Sequence, residues 1–309
     1  SSGVGTMFRN TLPLELRFEG RGLHSGAPCV LTLRPAPPGT GRRFRRVDLD
    51  GAPEIPATVE HVVATDRSTR LARDPASVDT VEHALAALFG LGIDDAWLDV
   101  SGPEVPALDG SAAPLVRAIA DAGGPVASSA PATWLRLERP VDVRLGGSWA
   151  RLGPRDPNRA VEEPHDAPSF ELDVEVDFEA FGRQRLVTAV DPRTFAREIA
   201  PARTFGFVAE AESLRAQDKI RGADLGCVLV YGPGGVLNPE GPRFDDEVAR
   251  HKALDGLGDL ALVGVRLVGR YVARRPGHAL NVELARTLAR LTDSSRLSPE
   301  PAPPTSPAP

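Results

Sequence analysis

The chain has 309 residues, which is long for a single hydrophobic core and predicts about two domains. Hydrophobic residues make up 41% and charged residues 25%, a balance that excludes overall disorder and favours a soluble globular protein. The net charge of -6 comes from 36 basic and 42 acidic residues, so it excludes a protein-wide positive field that would bind nucleic acid or an anionic membrane.

Short strands are predicted at the start of the chain. From residue 12 to residue 63, runs that alternate between apolar and polar residues are separated by glycine and proline clusters, as is typical of strands joined by turns. The apolar periodicity that follows predicts a helix at residues 80–89, a strand at residues 96–100 and a helix at residues 113–122. The first half should therefore be rich in strands, with two helices.

The second half again mixes strands and helices. Strand patterns cover residues 134–137, 141–145 and 170–178, and the last of these alternates apolar and acidic side chains throughout. Helical patterns follow at residues 192–199, 208–216, 245–262 and 278–291. Both halves are therefore predicted to belong to the α+β class.

Composition divides the chain into five segments. Residues 124–133 are a low-complexity stretch of small residues and proline, and they predict a linker between an N-terminal domain at 7–123 and a C-terminal domain at 134–293. The proline-rich tail at 294–309 can form neither a helix nor a strand ladder, so we expect it to be disordered. Residues 1–6 precede the only methionine and are expected to be an expression remnant outside the fold.

The cysteines and the apolar runs indicate a cytoplasmic protein. Cys29 and Cys227 are the only cysteines, and each lies in an apolar run, so we expect buried free thiols rather than a disulfide. No apolar stretch approaches the roughly 20 residues that span a bilayer, and the N-terminus lacks the features of a signal peptide. We expect a cytoplasmic monomer with no nucleic-acid partner and no transmembrane segment.

One candidate metal site lies on the predicted helix at 245–262. His251 and Asp255 are four residues apart, which places them on one face of the helix about 6 Å apart, close enough to share a cation. Asp259 continues this face one turn later. An ordinary ion pair on a solvated face would explain the same pattern, and the spacing alone favours that alternative because His-x-x-x-Asp is short and common.

A second candidate is the pair Glu82 and His83 in the first turn of an earlier helix. Asp79-x-x-Glu82 matches a capping box, which would give Glu82 a structural role. Alternatively, a ligand beside a carboxylate places an acid/base group within reach of a metal centre, as hydrolytic zinc sites require. The spacing leaves these two alternatives equal.

The nature of the metal and the reaction is only partly constrained by these residues. Two imidazoles and one carboxylate leave a coordination position open, which suits catalytic zinc and would also suit Fe²⁺. The sequence contains no His-Glu-x-x-His, Gly-x-Ser-x-Gly or Walker motif. Gly232-Pro-Gly-Gly235 lacks the third glycine of a dinucleotide fingerprint and predicts a hairpin turn.

Several short stretches, taken in order, resemble the UDP-3-O-acyl-N-acetylglucosamine deacetylases, which catalyse the committed step of lipid A synthesis. The resemblance runs from about residue 12 to about residue 291. Its motifs are Gly22-Leu-His-Ser-Gly26, Thr80-Val-Glu-His83, Pro103-Glu-Val-Pro-Ala-Leu-Asp-Gly-Ser111, Ala202-Arg-Thr-Phe-Gly-Phe207, Leu237-Asn-Pro-Glu-Gly241, Arg250-His-Lys-Ala-Leu-Asp255 with Gly258-Asp259, and Gly277-His-Ala-Leu-Asn281.

The resemblance implies a metal centre and a fold. Zinc would be bound by His83, His251 and Asp255, with Fe²⁺ as an alternative, and the substrate would be a UDP-linked acylated glucosamine. The implied architecture is a pair of α+β domains, each with helices layered on a sheet, packed face to face with the zinc site in the cleft between them.

The resemblance also implies catalytic roles. Glu82 would be the general base that takes a proton from the attacking water, and the hydroxyl of Thr204 would help to stabilise the oxyanion. His278 would be the cationic partner that protonates the leaving amine or stabilises charge. Asp259 would orient and charge His278.

Three further residues would face the substrate by the same resemblance. Lys252 is one of only two lysines in the chain and would contact the UDP phosphate, although a solvated helix lysine is the alternative. Phe205 would lie by the acyl chain, and Glu210 would lie near the nucleotide sugar.

One segment departs from the family pattern. The family usually carries a glycine-rich stretch at a position where this chain reads Asp218-Lys-Ile-Arg-Gly-Ala-Asp-Leu-Gly-Cys227. Because this region borders the acyl passage in the family, we expect a change in acyl-length preference or in the fit of the nucleotide.

The alternatives for the whole chain are a deacetylase that acts on a different N-acyl sugar and an inactive metal-binding relative with a regulatory role. The presence of Glu82, Thr204 and His278 argues against an inactive relative.

Overall fold

The computed structural model describes residues 8–155 and 170–292. Within these residues the chain is a mixed structure of several β-sheets and helices, which is compatible with the predicted α+β class. The predicted remnant at 1–6 and the predicted disordered tail at 294–309 lie outside the described residues. In the described part of the chain, no helix combines the length and the apolar character that a membrane crossing needs.

The N-terminal half builds one large sheet. After a first strand at Phe8–Thr11 (β1), its strands are Leu16–Arg21 (β2), Pro28–Pro35 (β3), Arg42–Arg46 (β4), Glu54–Pro56 (β5) and Ala96–Val100 (β9). They lie in the order β2-β3-β9-β4-β5, and only β4 and β9 run parallel. A separate antiparallel sheet contains Val62–Ala64 (β6), Arg70–Arg73 (β7) and Ala76–Val78 (β8).

The C-terminal half builds the second large sheet. Its strands are Trp134–Arg136 (β11), Val141–Leu145 (β12), Ser148–Gly153 (β13), Phe170–Phe178 (β14), Gly182–Val190 (β15) and Arg266–Arg274 (β19). The order is β12-β13-β19-β14-β15, and β11 also pairs with β19. A small sheet contains Phe205–Phe207 (β16), Leu229–Gly232 (β17) and Gly235–Val236 (β18). The antiparallel pairing of β17 with β18 confirms the predicted hairpin turn.

The long helices lie where the apolar periodicity predicts them. Their bounds are Glu82–Gly90 (α1), Ala113–Asp121 (α2), Val208–Ala216 (α3), Glu247–Leu260 (α4) and His278–Thr292 (α5). The stretch predicted as a helix at 192–199 is a short turn, Pro192–Thr194, that continues as a π-helix at Phe195–Ile199. Short 3-10 turns occur at Val59–His61 and Ala261–Val263.

The segment predicted to link two domains contains a strand. Val126–Pro131 (β10) pairs antiparallel with β1, so the chain returns to its own N-terminus between the two large sheets. Buried apolar residues from both halves form one hydrophobic cluster. Cys29 and Cys227 are both buried and unbonded to each other, which confirms the prediction of free thiols.

Helices α1 and α4 pack directly against each other, and α4 also packs on β14 and β15. The two helices approach closely at Gly258, where an added Cβ would collide with the carbonyl group of Glu82. Only glycine allows this approach because its neighbour is backbone, which cannot rotate away. The crossing brings the first turn of α1 against the second half of α4.

Strand β14 buries charged side chains that its alternating pattern alone would place in water. Asp173 is 2% exposed and accepts hydrogen bonds from Arg185 at 2.8 Å, Arg270 at 2.6 Å and Arg274 at 3.0 Å. Burial alone would raise the pKa of Asp173, but the hydrogen bonds from Arg185 and Arg274 outweigh it and lower the pKa to about 2. This carboxylate is therefore a structural anion that ties β14 to β15 and β19.

Candidate functional site

Three potential metal ligands converge where α1 crosses α4. His83 lies in the first turn of α1, and His251 and Asp255 lie one turn apart on α4. The Nε2 atoms of His251 and His83 lie 3.3 Å and 3.5 Å from Asp255 Oδ1, and one ligand atom from each residue lies within 4.8 Å of the others. The two imidazole rings are edge to face, with centroids 4.9 Å apart.

All three side chains are buried, so the alternative of a solvated ion pair is wrong. His83 is 9% exposed, His251 is 2% exposed and Asp255 is 4% exposed. The alternative failed because α4 is buried on nearly every side, between α1 and the second sheet.

The hydrogen bonds around these residues leave the facing atoms available for a cation. His251 Nδ1 lies 2.9 Å from the carbonyl oxygen of Ala202, to which it can only donate, so Nε2 is the nitrogen that faces Asp255. Asp255 Oδ1 is buried and has no acceptable hydrogen-bond donor among the described residues. Such an arrangement of two imidazole nitrogens and one unsatisfied carboxylate oxygen can hold a divalent metal.

The pKa shifts favour the protonation states of metal ligands. Burial lowers the pKa of His83, so its ring is neutral at physiological pH. Burial alone would raise the pKa of Asp255, but the nearby His251 and Lys252 outweigh it and hold the pKa well below its usual range. Asp255 is therefore a carboxylate.

A second buried group lies beside the first and contains Glu82, His278 and Asp259. His278 Nδ1 lies 2.8 Å from Asp259 Oδ2, and His278 Nε2 lies 3.5 Å from Glu82 Oε1. Burial alone would lower the pKa of His278, but the charges of Asp259 and Glu82 outweigh it and raise the pKa well above its usual value. Burial raises the pKa of Glu82. The pair therefore holds an imidazolium next to a carboxyl group that is easily protonated.

The capping-box interpretation of Glu82 is wrong. Helix α1 begins at Glu82 itself, and its N-cap residue makes no side-chain cap. The Asp79 carboxylate instead accepts hydrogen bonds from Ser68 at 2.6 Å and Arg70 at 2.7 Å. Glu82 Oε2 accepts a hydrogen bond from the backbone amide of Thr69 at 3.1 Å, so the side chain turns into the buried site.

Two residues of this site were not predicted as site residues. The Thr69 hydroxyl donates to Asp259 Oδ1 at 2.7 Å, and Asn281 Nδ2 donates to Asp259 Oδ2 at 3.0 Å. Asn281 in turn accepts from the Tyr271 hydroxyl at 2.6 Å. Asn281 belongs to the Gly277-His-Ala-Leu-Asn281 motif and could have been found there. Nothing in the sequence around Thr69 indicates its role.

The predicted substrate-facing residues fall into two places. Lys252 Nζ lies 3.5 Å from Asp255 Oδ2 and 5.6 Å from the centre of the Phe205 ring, and that ring lies 6.3 Å from the ring of His251. Thr204 directly precedes Phe205, and its backbone is held by Gly110 and Leu229. Glu210 lies apart from this group. It is exposed on the first turn of α3, where it pairs with Arg67 at 3.3 Å.

The divergent segment from 218 to 227 docks on the Gly22-Leu-His-Ser-Gly26 motif. The amides of Arg221 and Gly222 donate to the carbonyls of His24 at 3.1 Å and Leu23 at 3.0 Å. Lys219 pairs with Asp66 at 3.0 Å, and both residues line a cavity of 390 Å³ together with His24. The charged segment therefore forms one wall of a polar cavity.

Comparison with known proteins agrees with the resemblance. A family model described as UDP-3-O-acyl N-acetylglycosamine deacetylase matches residues 9–290. Relatives named UDP-3-O-acyl-N-acetylglucosamine deacetylase occur in Geobacter sp. (strain M21), Anaeromyxobacter sp. (strain Fw109-5) and Myxococcus xanthus (strain DK1622). The Geobacter protein is 43% identical over 93% of this chain and 90% of its own length. The Anaeromyxobacter protein is 43% identical over 90% of this chain and 87% of its own length, and the Myxococcus protein is 42% identical over 90% and 85%. Since the family model covers most of the chain and these relatives align along nearly their whole length, the chain belongs to the UDP-3-O-acyl N-acetylglycosamine deacetylase family.

Proposed function

We propose that this chain removes the N-acetyl group of UDP-3-O-acyl-N-acetylglucosamine by metal-dependent hydrolysis, giving the free amine and acetate in the committed step of lipid A synthesis. The substrate is taken from the names of the relatives. The observation that carries the reaction type is the convergence of His83, His251 and Asp255 beside the Glu82–His278 pair. A metal centre next to an acid/base pair is the arrangement that amide hydrolysis needs.

We propose His83, His251 and Asp255 as ligands of Zn²⁺, with Fe²⁺ as the alternative. The unsatisfied Asp255 Oδ1 and the two Nε2 atoms that face it support this ligand set. A bound zinc ion would polarise the acetyl carbonyl and lower the pKa of a water molecule to about 7. Two imidazoles and a carboxylate suit both ions.

Glu82 is proposed as the general base. Its Oε1 faces His278 and its Oε2 is held by the amide of Thr69, so the carboxyl group has a fixed position at the edge of the metal site. Burial raises the pKa of Glu82, which makes the side chain a better proton acceptor than an exposed glutamate. It would take the proton of the water that attacks the acetyl carbonyl.

His278 is proposed as the cationic partner that protonates the leaving amine. Its hydrogen bond to Asp259 fixes the ring orientation and keeps Nδ1 protonated, so that Nε2–H points towards Glu82 and the metal site. Asp259 thus orients and charges His278 without contacting the substrate.

The residues beside the metal site are proposed to bind the substrate. Thr204 would donate its hydroxyl to the oxyanion that forms at the acetyl carbon. Lys252 would contact a phosphate of UDP, Phe205 would pack on the acyl chain, and Glu210 would lie near the nucleotide sugar. The pairing of Lys252 with Asp255 keeps its charge at the edge of the site.

We also propose the domain division at residues 7–123 and 134–293, with the metal in the cleft between two face-to-face α+β domains. A cytoplasmic monomer fits this proposal.

The charged segment at 218–227 is proposed to alter the acyl-length preference, since it replaces a glycine-rich stretch of the family with a wall that carries ion pairs.

The proposed activity is tested by a deacetylation assay on UDP-3-O-acyl-N-acetylglucosamines of several chain lengths, with and without a zinc chelator. We expect release of acetate that the chelator abolishes and that added zinc restores. An unlinked acyl-glucosamine in the same assay separates this function from a deacetylase that acts on a different sugar. Absence of acetate from every UDP-linked substrate would contradict the proposal.

The proposed roles are separated by variants. Glu82→Ala should keep its metal and lose at least ~100-fold in turnover, the usual scale for a general base. His83→Ala and His251→Ala should lose tightly bound metal by elemental analysis. Glu283→Gln, at an exposed carboxylate on α5, is the matched control and should match the wild type. Wild-type turnover in Glu82→Ala, or full zinc occupancy in either histidine variant, would overturn the corresponding role.

A further inference from the structure

Thr69 completes a closed ring of polar contacts around the acid/base pair. Its amide donates to Glu82 Oε2 at 3.1 Å, and its hydroxyl donates to Asp259 Oδ1 at 2.7 Å. His278 contacts the other oxygens of the same two carboxylates, at 3.5 Å from Glu82 Oε1 and 2.8 Å from Asp259 Oδ2. Thr69 and His278 therefore both contact the same two acidic side chains, each through different carboxylate oxygens.

The backbone of Thr69 is fixed independently of these side chains. Its carbonyl accepts a hydrogen bond from the amide of Val81, the residue before α1, at 3.3 Å. The residue is fully buried, and it directly precedes β7. One short stretch of chain thus anchors the start of α1 and contacts α4 through Asp259.

The ring matters because Glu82 and Asp259 come from different helices. Their carboxylates repel each other, and each needs donors to remain buried. Asp259 receives its donors from Thr69, His278 and Asn281. Without the Thr69 hydroxyl, Asp259 Oδ1 would lose a hydrogen bond that fixes the rotation of the carboxylate. The His278 ring, which is oriented by this carboxylate, would then be held less firmly.

We propose that Thr69 is a positioning residue that holds Glu82 and the Asp259–His278 pair in register for proton transfer. This inference rests on the proposed deacetylase function for its kinetic consequence. Thr69 has no place near the substrate in this proposal and acts only through its neighbours.

Two nearly isosteric variants test the inference. Thr69→Val keeps the shape of the side chain and the hydrogen bond from the backbone amide to Glu82, but it removes the hydroxyl. Thr69→Ser keeps the hydroxyl. We expect Thr69→Val to lower kcat by roughly 10-fold or more, the scale of lost supporting hydrogen bonds, with KM and zinc content unchanged. Thr69→Ser should recover most of the loss. Thr32→Val, at a buried threonine of β3, is the matched control and should leave kcat unchanged.

A second readout does not depend on turnover. In the full-length chain loaded with zinc, the Nδ1 proton of His278 can be followed by ¹H–¹⁵N spectroscopy and assigned with His278→Gln. We expect Thr69→Val to shift this signal and to speed its exchange with water, and Thr69→Ser to restore it.

The outcomes separate the two proposals. If the wild-type chain has no deacetylase activity, the proposed function fails, and the His278 signal alone decides the role of Thr69. A signal that is unchanged in Thr69→Val overturns the inference. An unchanged kcat with only a lower melting temperature also overturns it, because Thr69 would then serve stability alone.

Discussion

Replacing Gly258 with alanine would test how the two helices that carry the proposed metal ligands meet. In an unconstrained helix interior this change stabilises the folded state by about 1 kcal/mol, since alanine is the better helix former. Here the added Cβ would lie 2.8 Å from the carbonyl carbon of Glu82 and closer still to its oxygen, whereas ordinary contact begins at 3.4 Å. Because both atoms are backbone atoms of α1, no side-chain rotation relieves the overlap, and the helices must separate.

The separation has a cost in stability and in function. Overpacking costs typically about 1–3 kcal/mol, and a backbone obstacle belongs at the upper end. After the gain in helix propensity we expect a net loss of about 1–2 kcal/mol. The movement also carries His83 away from Asp255 and Glu82 away from His278. A displacement on the order of 1 Å can cost roughly 100-fold in rate.

The assay combines urea unfolding, zinc affinity by competition with a chelator, and turnover. Gly258→Ala should be less stable, bind zinc more weakly and turn over more slowly. Gly147→Ala is the control, because an added Cβ there meets nothing within 4 Å. The close crossing of α1 and α4 would be refuted if Gly258→Ala raised the free energy of unfolding by about 1 kcal/mol, as helix propensity alone predicts, and left the zinc affinity unchanged.

Three further predictions concern buried groups outside the proposed metal site. The pKa of Asp173 is lowered to about 2 in the folded state, against about 3.9 in the unfolded chain. The ionised side chain therefore adds about 2–3 kcal/mol to the free energy of unfolding above pH 4, and this contribution is lost as the pH falls towards 2. Asp173→Asn should remove this pH dependence from urea unfolding curves, and a variant with the pH dependence of the wild type would contradict the prediction. Burial raises the pKa of Cys29 to about 11, so iodoacetamide at pH 8 should modify it only after unfolding, as mass spectrometry would show; rapid modification of the native protein would exclude the buried position. Arg203→Met should lower the free energy of unfolding, measured by thermal unfolding, by about 3–5 kcal/mol, because it removes the cation that pairs with the fully buried Glu247. A stability equal to the wild type would show that Glu247 does not need this cation.

Local signals in the sequence were sufficient to predict where the helices lie but not which of their side chains are buried. The periodicity that predicts α4 depends only on neighbours within two turns, and the helix lies within two residues of its predicted bounds. The solvent exposure of His251 and Asp255 depends instead on α1 and on β14, which are distant in the chain. The spacing therefore found the pair but favoured a solvated face for it.

The same limit applies to Glu82 and to the segment at 124–133. A capping box is defined by four consecutive residues, and it failed because Asp79 pairs with Ser68 and Arg70 instead. Residues 124–133 have the composition of a linker, yet β10 forms there because β1 offers it a partner from the start of the chain. Thr69 could not be found at all, since its role exists only where α1, α4 and the chain before β7 meet.

Charge balance gives an independent reason to expect a cation at the crossing. The carboxyl groups of Glu82, Asp255 and Asp259 are each at most 4% exposed, and His278 and Lys252 are the cations beside them. Burial raises the pKa of Glu82 to about 8, so near neutral pH the two cations balance Asp255 and Asp259. Once Glu82 is ionised, as a general base requires, the described residues of this region hold three anions and two cations, and this negative excess is costly without further compensation. A divalent ion at Asp255 would reverse that excess. Its charge would also lower the pKa of Glu82 from the raised value that burial imposes, and so favour the carboxylate that a general base requires. The burial that raises the pKa of Glu82 and the metal that would lower it are therefore parts of one electrostatic arrangement.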